Sequence, residues 1–134
     1  SRYDIKYARS LDGLDWERQG DICIPTTINN PNASRPWVLI KDATYQMWYS
    51  YTEKDQDYRY QIGYAASRNA SDGWLINNET EGLLPSADGW DSEMVAYPAV
   101  FEHRDNRYML YNGNDFGREG FGLAIWEDQG KEEK

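Results

Sequence analysis

The chain repeats itself at intervals of close to 60 residues, and this constrains its fold more than any other feature. Ile5-Lys6-Tyr7-Ala8-Arg9-Ser10 returns as Ile62-Gly63-Tyr64-Ala65-Ala66-Ser67, a spacing of 57 (5 to 62). Phe121-Gly122-Leu123-Ala124 follows at 59 (65 to 124). A second series interleaves with the first. Arg35-Pro36-Trp37-Val38 matches Tyr97-Pro98-Ala99-Val100 at 62 (36 to 98), and Tyr45-Gln46-Met47-Trp48-Tyr49 matches Arg107-Tyr108-Met109-Leu110-Tyr111 at the same 62 (47 to 109). A third pairs Asp12-Gly13 and Trp16 with Asp72-Gly73-Trp74. A fixed period of this kind means one supersecondary unit used several times.

Each unit reads as four strands. In the middle unit these are an inner strand (Arg35 to Lys41), a second (Tyr45 to Tyr51), a third (Arg59 to Ser67) and an outer one (about Gly82 to Leu84). Turn chemistry separates them: Lys41-Asp42-Ala43-Thr44, Glu53 to Asp57 and Asn69 to Gly73, with Arg104-Asp105-Asn106 repeating the first. Helical periodicity is weak throughout. Four antiparallel strands per repeat is the pattern of a β-propeller blade. The expected fold is therefore all-β and β-propeller-like, with about two four-stranded antiparallel blades over residues 1–128. A half blade occupies 1–25, a full blade 34–85 and a three-stranded blade 93–127. Residues 129–134 form a charged tail. So short an arc does not close a ring and leaves sheet faces bare, so self-association into a homodimer is expected. A fragment of a longer protein is the alternative.

Composition narrows the partners. Net charge is −9, which repels phosphate backbones and anionic membrane surfaces, so neither nucleic acid nor membrane is expected. No apolar run has the roughly 20 residues needed to span a bilayer. Ser1 to Ser10 holds no signal-peptide core, so a cytoplasmic location is expected unless a leader has been removed. Cys23 is the single cysteine and His103 the single histidine, and no metal or other cofactor is expected. Aromatic residues reach 15%, which suits strands and also suits sugar platforms.

Several motifs together carry a family resemblance. They are Tyr-Ala-x-Ser in the third strand, Ser34-Arg35-Pro36 and Tyr97-Pro98 opening inner strands, and Tyr45-Gln46-Met47-Trp48-Tyr49. Trp90-Asp91-Ser92-Glu93-Met94, Tyr108-Met109-Leu110-Tyr111-Asn112-Gly113-Asn114 and Phe121-Gly122-Leu123-Ala124 complete the set. The chain resembles the C-terminal half of the five-bladed glycosidase-like proteins of the invertase, levansucrase and arabinanase superfamily, and within it bacterial predicted glycosidases. Ser10-Leu11-Asp12-Gly13 with Trp16 is also similar to the Asp-box turn of sialidase propellers, a shared hairpin solution.

The resemblance implies carboxylates at the starts of inner strands, where sucrose-cleaving members carry Arg-Asp-Pro and Glu-Cys-Pro. Anchored on Pro36 and Pro98, those acid positions are Arg35 and Ala96. Candidate catalytic residues are therefore Glu93 and Asp91, two apart and able to divide acid and base duties if extended together. Asp91 and Glu93 are equally candidates for a solvated loop or for pairing with Arg35. Candidate sugar-binding residues are Arg35, as a guanidinium fork, with Trp37, Trp90 and Tyr97 as stacking rings. Asn112, Asn114 and Asp115, in a glycine-rich turn, offer polar groups to sugar hydroxyls or cap the turn itself.

Three functions follow as expectations. One is a carbohydrate-active enzyme, related to propeller glycoside hydrolases, with a polar funnel whose site is completed across a dimer. The second is a non-catalytic carbohydrate-binding module, and the third a structural dimeric propeller fragment.

Overall fold

The computed structural model describes residues 2–56 and 58–127, which build three antiparallel sheets in chain order. The first pairs β1 (Ile5–Lys6) with β2 (Ile22–Ile24). The middle sheet runs β3 (Asn32–Lys41), β4 (Thr44–Thr52), β5 (Tyr60–Ser67) and β6 (Leu75–Ile76). The last runs β7 (Ala96–His103), β8 (Asn106–Asn112) and β9 (Phe121–Ile125). The expected charged tail at 129–134 and Asp57, at the end of one expected hairpin, lie outside the described residues. No helix among the described residues is long and apolar enough to cross a membrane.

The first turn of each unit has the same physical basis. Asp42 and Ala43 have φ of 50° and 58°, and Arg104 and Asp105 have 48° and 65°. Two consecutive left-handed residues make the tight loop whose twist matches the strands it joins.

The centre of the middle sheet is buried on both faces, and β4 shows why. From Met47 to Thr52 every residue of β4 is buried. Met47, Tyr49 and Tyr51 face one core with Ile5, Cys23, Ile24, Ala33 and Ala65. Trp48 faces the other with Ile62, Tyr64, Val95, Val100, Met109 and Tyr111. Alternate side chains of one strand thus hold the first sheet on one side and the last sheet on the other. Trp48 is fully buried, tilts against Tyr64 at 5.2 Å and meets Trp126 edge-on at 6.1 Å. The Arg107 guanidinium lies 5.2 Å from the Trp48 ring and 5.7 Å from the Trp126 ring, and is bonded to Glu102.

The expected outer strand is placed differently. The ladder strand beside β5 is Leu75–Ile76, not Gly82 to Leu84. A helical turn, α1 (Asn78–Glu81), then interrupts it, and Leu83 returns as a single bridge to Ile62. Asn78 is the reason. Its Oδ1 accepts the Tyr64 backbone N–H at 2.9 Å, in place of a ladder carbonyl, and also accepts the Tyr49 hydroxyl at 2.9 Å. Gly63 lies under this contact: a Cβ there would sit 2.6 Å from Asn78 Oδ1. The inner strand also starts earlier than expected, at Asn32 in place of Arg35, because pairing continues across a bulge.

Candidate functional site

Arg35 and Tyr97 occupy equivalent bulges. In β3, Ser34 pairs with Ser50 and Trp37 with Trp48, so Arg35 and Pro36 together oppose Tyr49. In β7, Ala96 pairs with Asn112 and Ala99 with Leu110, so Tyr97 and Pro98 together oppose Tyr111. Arg35 and Tyr97 both have left-handed backbone, with φ of 52° and 61°. The proline that follows disfavours helical backbone at these positions, and the bulge absorbs the extra residue. Bulges re-aim a side chain, and here they turn both residues to the same end of the seam between the middle and last sheets.

At that end the seam changes from apolar to polar. Paired residues share a sheet face, so Asn32, Ser34, Ser50, Thr52 and Tyr60 join Trp48 on the face that meets the last sheet. Ser50 and Thr52 are fully buried. Ser50 Oγ accepts the Tyr97 backbone N–H at 2.9 Å, and Asn32 Nδ2 donates to Thr52 Oγ1 at 3.1 Å. Tyr97 of β7 and Phe116, in the turn between β8 and β9, stack at 6.1 Å, with Tyr60 edge-on to Phe116 at 5.9 Å. The Arg35 guanidinium lies 5.4 Å from the centre of the Tyr97 ring. Burial, reinforced by Tyr97, raises the Tyr60 phenol above its ordinary pKa.

The expected ion pair of Arg35 with Asp91 or Glu93 is not formed. Among the described residues Arg35 has no carboxylate partner within 4.0 Å. Asp91 is buried instead, and its Oδ2 accepts the Tyr111 hydroxyl at 2.8 Å. Burial and this carboxylate push the Tyr111 pKa up to about 12. Glu93 is exposed, and its backbone N–H is held by Asn114 Oδ1 at 2.7 Å. Residues 91–93 form a turn and bend, not the extended segment on which the pairing was expected, with Asp91 buried and Glu93 exposed.

The motif residues around them form a clasp. Asn114 Oδ1 also accepts the Met94 N–H at 3.2 Å, and its Nδ2 donates to Gly89 O at 3.1 Å and to Glu119 Oε2 at 3.2 Å. Trp90 stacks on Tyr111 at 5.5 Å. A Cβ on Gly113 or Gly122 would collide with the Trp90 ring, which explains the bare glycines beneath it. Trp90 is half-buried and packs on Tyr111 here. Asn112 Nδ2 donates to Phe116 O at 3.2 Å, and exposed Asp115 pairs with Arg118 at 3.1 Å. Trp37 Nε1 donates to Val100 O at 2.7 Å and ties the two inner strands together.

Of the residues singled out by sequence, Arg35 and Tyr97 therefore meet at one place. Asp91, Trp90 and Asn114 meet at another, as packing. Asn32, Ser34, Ser50, Tyr60 and Phe116 were missed. Ser34 stood in the Ser34-Arg35-Pro36 motif, and Phe116 is the single apolar side chain between Gly113 and Gly120. A cleft of about 780 Å³ lies elsewhere, between α1 and the β8–β9 pair, and is lined by Glu79, Glu81, Leu83, Met109, Trp126 and Glu127. It contains none of the expected site residues.

Comparison with known proteins agrees with the architecture. No family model matches the chain. Rv1502, an uncharacterized protein of Mycobacterium tuberculosis, is 41% identical over 125 residues, covering 92% of this chain and 40% of the relative. The chain thus spans less than half the length of this relative. A solved glycoside hydrolase superposes with a TM-score of 0.70 at 18% identity, covering 93% of this chain and 36% of that one. A solved complex of BT0996 with RGII gives 0.71 at 18%, with the same coverage. The endo-arabinase of Bacteroides thetaiotaomicron gives 0.55 at 21%, covering 75% of this chain and 33% of that one. The chain therefore has a glycoside-hydrolase-like, all-β fold and corresponds to about a third of those structures.

Proposed function

We propose that the chain forms one wall of a carbohydrate-binding funnel in a five-bladed propeller of glycosidase type, and recognises sugar without supplying the catalytic acids. The observation that carries this reading is the seam end itself. Arg35, Tyr97, Tyr60 and Phe116 converge there with buried hydroxyls behind them. Glycoside hydrolysis by the usual route needs two carboxylates roughly 5 to 10 Å apart. Asp91 is buried on Tyr111, and the positions matched to the family's acids are Arg35 and Ala96. Any hydrolysis would need carboxylates brought by another part of a larger molecule or by a second copy, with Glu93 as this chain's remaining contribution. Glycan-array binding tests the reading. Tyr97→Ala is expected to weaken sugar binding about tenfold, the loss of roughly one aromatic contact with its hydrogen-bonding neighbours. Glu93→Ala is expected to leave binding unchanged. Binding that depends on Glu93 and ignores Tyr97 would move the site off the seam.

Self-association is the companion proposal. The outward face of the last sheet exposes Phe121, Leu123 and Ile125 of β9, beside Leu110 and Phe101. A second copy would cover this face and supply the opposite wall. Sedimentation equilibrium should then give twice the 15.6 kDa chain mass, and Leu123→Glu should return it to the monomer. A wild-type chain that stays monomeric at high micromolar concentration would refute the proposal.

A further inference from the structure

The geometry points to a carboxylate-bearing sugar, a hexuronate, as the ligand of the seam, with Arg35 as the residue that selects it. This deepens the carbohydrate-binding reading above and rests on it. The seam end brings together mostly neutral side chains. These are Asn32, Ser34, Tyr60, Tyr97 and Phe116. With them is the Arg35 guanidinium, in a chain with 23 acidic and 14 basic residues.

Five cations of this chain are engaged with carboxylates among the described residues, and Arg2, Arg18, Lys54, Arg59, Arg68 and Arg104 are not, but none of those six lies over an aromatic ring there as Arg35 does. Arg9 bonds Glu17, Arg107 and Lys41 bond Glu102, and Arg118 bonds Asp115. Arg35 has no such acid among the described residues, and its guanidinium rests over the Tyr97 ring at 5.4 Å. A planar fork held against an aromatic ring keeps its in-plane N–H groups available, and a carboxylate matches that fork with two parallel hydrogen bonds. The Tyr97 ring gives the guanidinium a neighbour to rest on before any ligand arrives. Less ordering is then needed on binding. A neutral sugar hydroxyl would use one or two of these donors and leave the charge unanswered. A hexuronate answers it, and Ser34 and Tyr60 on the same sheet face carry hydroxyls for its ring hydroxyls.

The test compares sugars that differ only in this group. Trigalacturonate and its methyl ester, and glucuronate- and glucose-terminated oligosaccharides, are titrated into the 134-residue chain by calorimetry. The free acids are expected to bind about tenfold more tightly than their neutral counterparts, the scale of one charge-assisted pair. Arg35→Gln should remove that preference, bringing acid and ester to equal affinity, and Arg35→Lys should keep part of it. Unchanged circular dichroism and melting temperature check that both variants fold. Equal affinity for acid and ester, or a preference that survives Arg35→Gln, overturns the uronate assignment and leaves carbohydrate binding standing. No binding of any sugar, acidic or neutral, overturns both.

Discussion

Replacing Trp48 with alanine is expected to lower the unfolding free energy by about 4 kcal/mol, the usual scale for a fully buried tryptophan. The ring sits at the centre of the core that joins the middle and last sheets. Its loss removes the contacts to Tyr64 and Trp126, frees one side of the Arg107 guanidinium, and breaks the Nε1 bond to Glu81 O at 3.3 Å. Domains of this size have total stabilities of about 5–15 kcal/mol. The variant should therefore unfold at a much lower urea concentration, with an unchanged slope if unfolding stays two-state. Trp37→Ala is the control. Trp37 is 43% exposed and makes one hydrogen bond, to Val100 O, so its loss should cost about 1 kcal/mol. Equal losses at the two tryptophans would mean that the seam does not hold the sheets together in solution.

The second large effect is expected at Asn114. Its side chain satisfies two backbone donors, Glu93 N and Met94 N, and gives its own protons to Gly89 O and Glu119 Oε2. Asn114→Ala leaves those partners without a bond, buried at Met94 and partly buried at the other three, each costing up to about 1–3 kcal/mol less whatever water recovers. A net loss of about 3 kcal/mol in urea unfolding is expected. Asn112 makes one bond, to Phe116 O, so Asn112→Ala should cost about 1 kcal/mol. The pair also decides between two uses of the Tyr-Asn-Gly-Asn motif. If Asn114→Ala kept full stability and lost sugar binding, the motif would be a ligand contact and not a clasp.

Much of the fold was legible because it rests on local rules. The period near 60 residues put Pro36 over Pro98 and Met47 over Met109, and the two prolines sit in equivalent bulges in the structure. The turns at Asp42-Ala43 and Arg104-Asp105 lie where short polar pairs interrupt the strands. The outer strand was misplaced because the decisive residue acts out of register. Asn78 reaches across to Tyr64 with its side chain, a bond that no alternation pattern records.

The site was less legible. Asp91 and Glu93 looked like a carboxylate pair from their spacing alone, but Asp91 meets Tyr111 across 20 positions of chain. Tyr60 and Phe116 carried no motif at all and met only when the seam closed. Arg35 and Tyr97, by contrast, were singled out from sequence and found side by side.

The amino-acid sequence by itself determined where strands and turns fall, since repetition, alternation and turn chemistry act over a few neighbouring residues. It also determined that no carboxylate occupies positions 35 and 96. Only the tertiary structure decided which polar groups are spent on packing and which remain available. Asp91, Trp90 and Asn114 are consumed by hydrogen bonds and stacking inside the last sheet, while Arg35 is left over Tyr97 without an acid among the described residues. The physical reason is that burial and pairing depend on residues distant in the chain, whereas strand and turn preference depend on near ones.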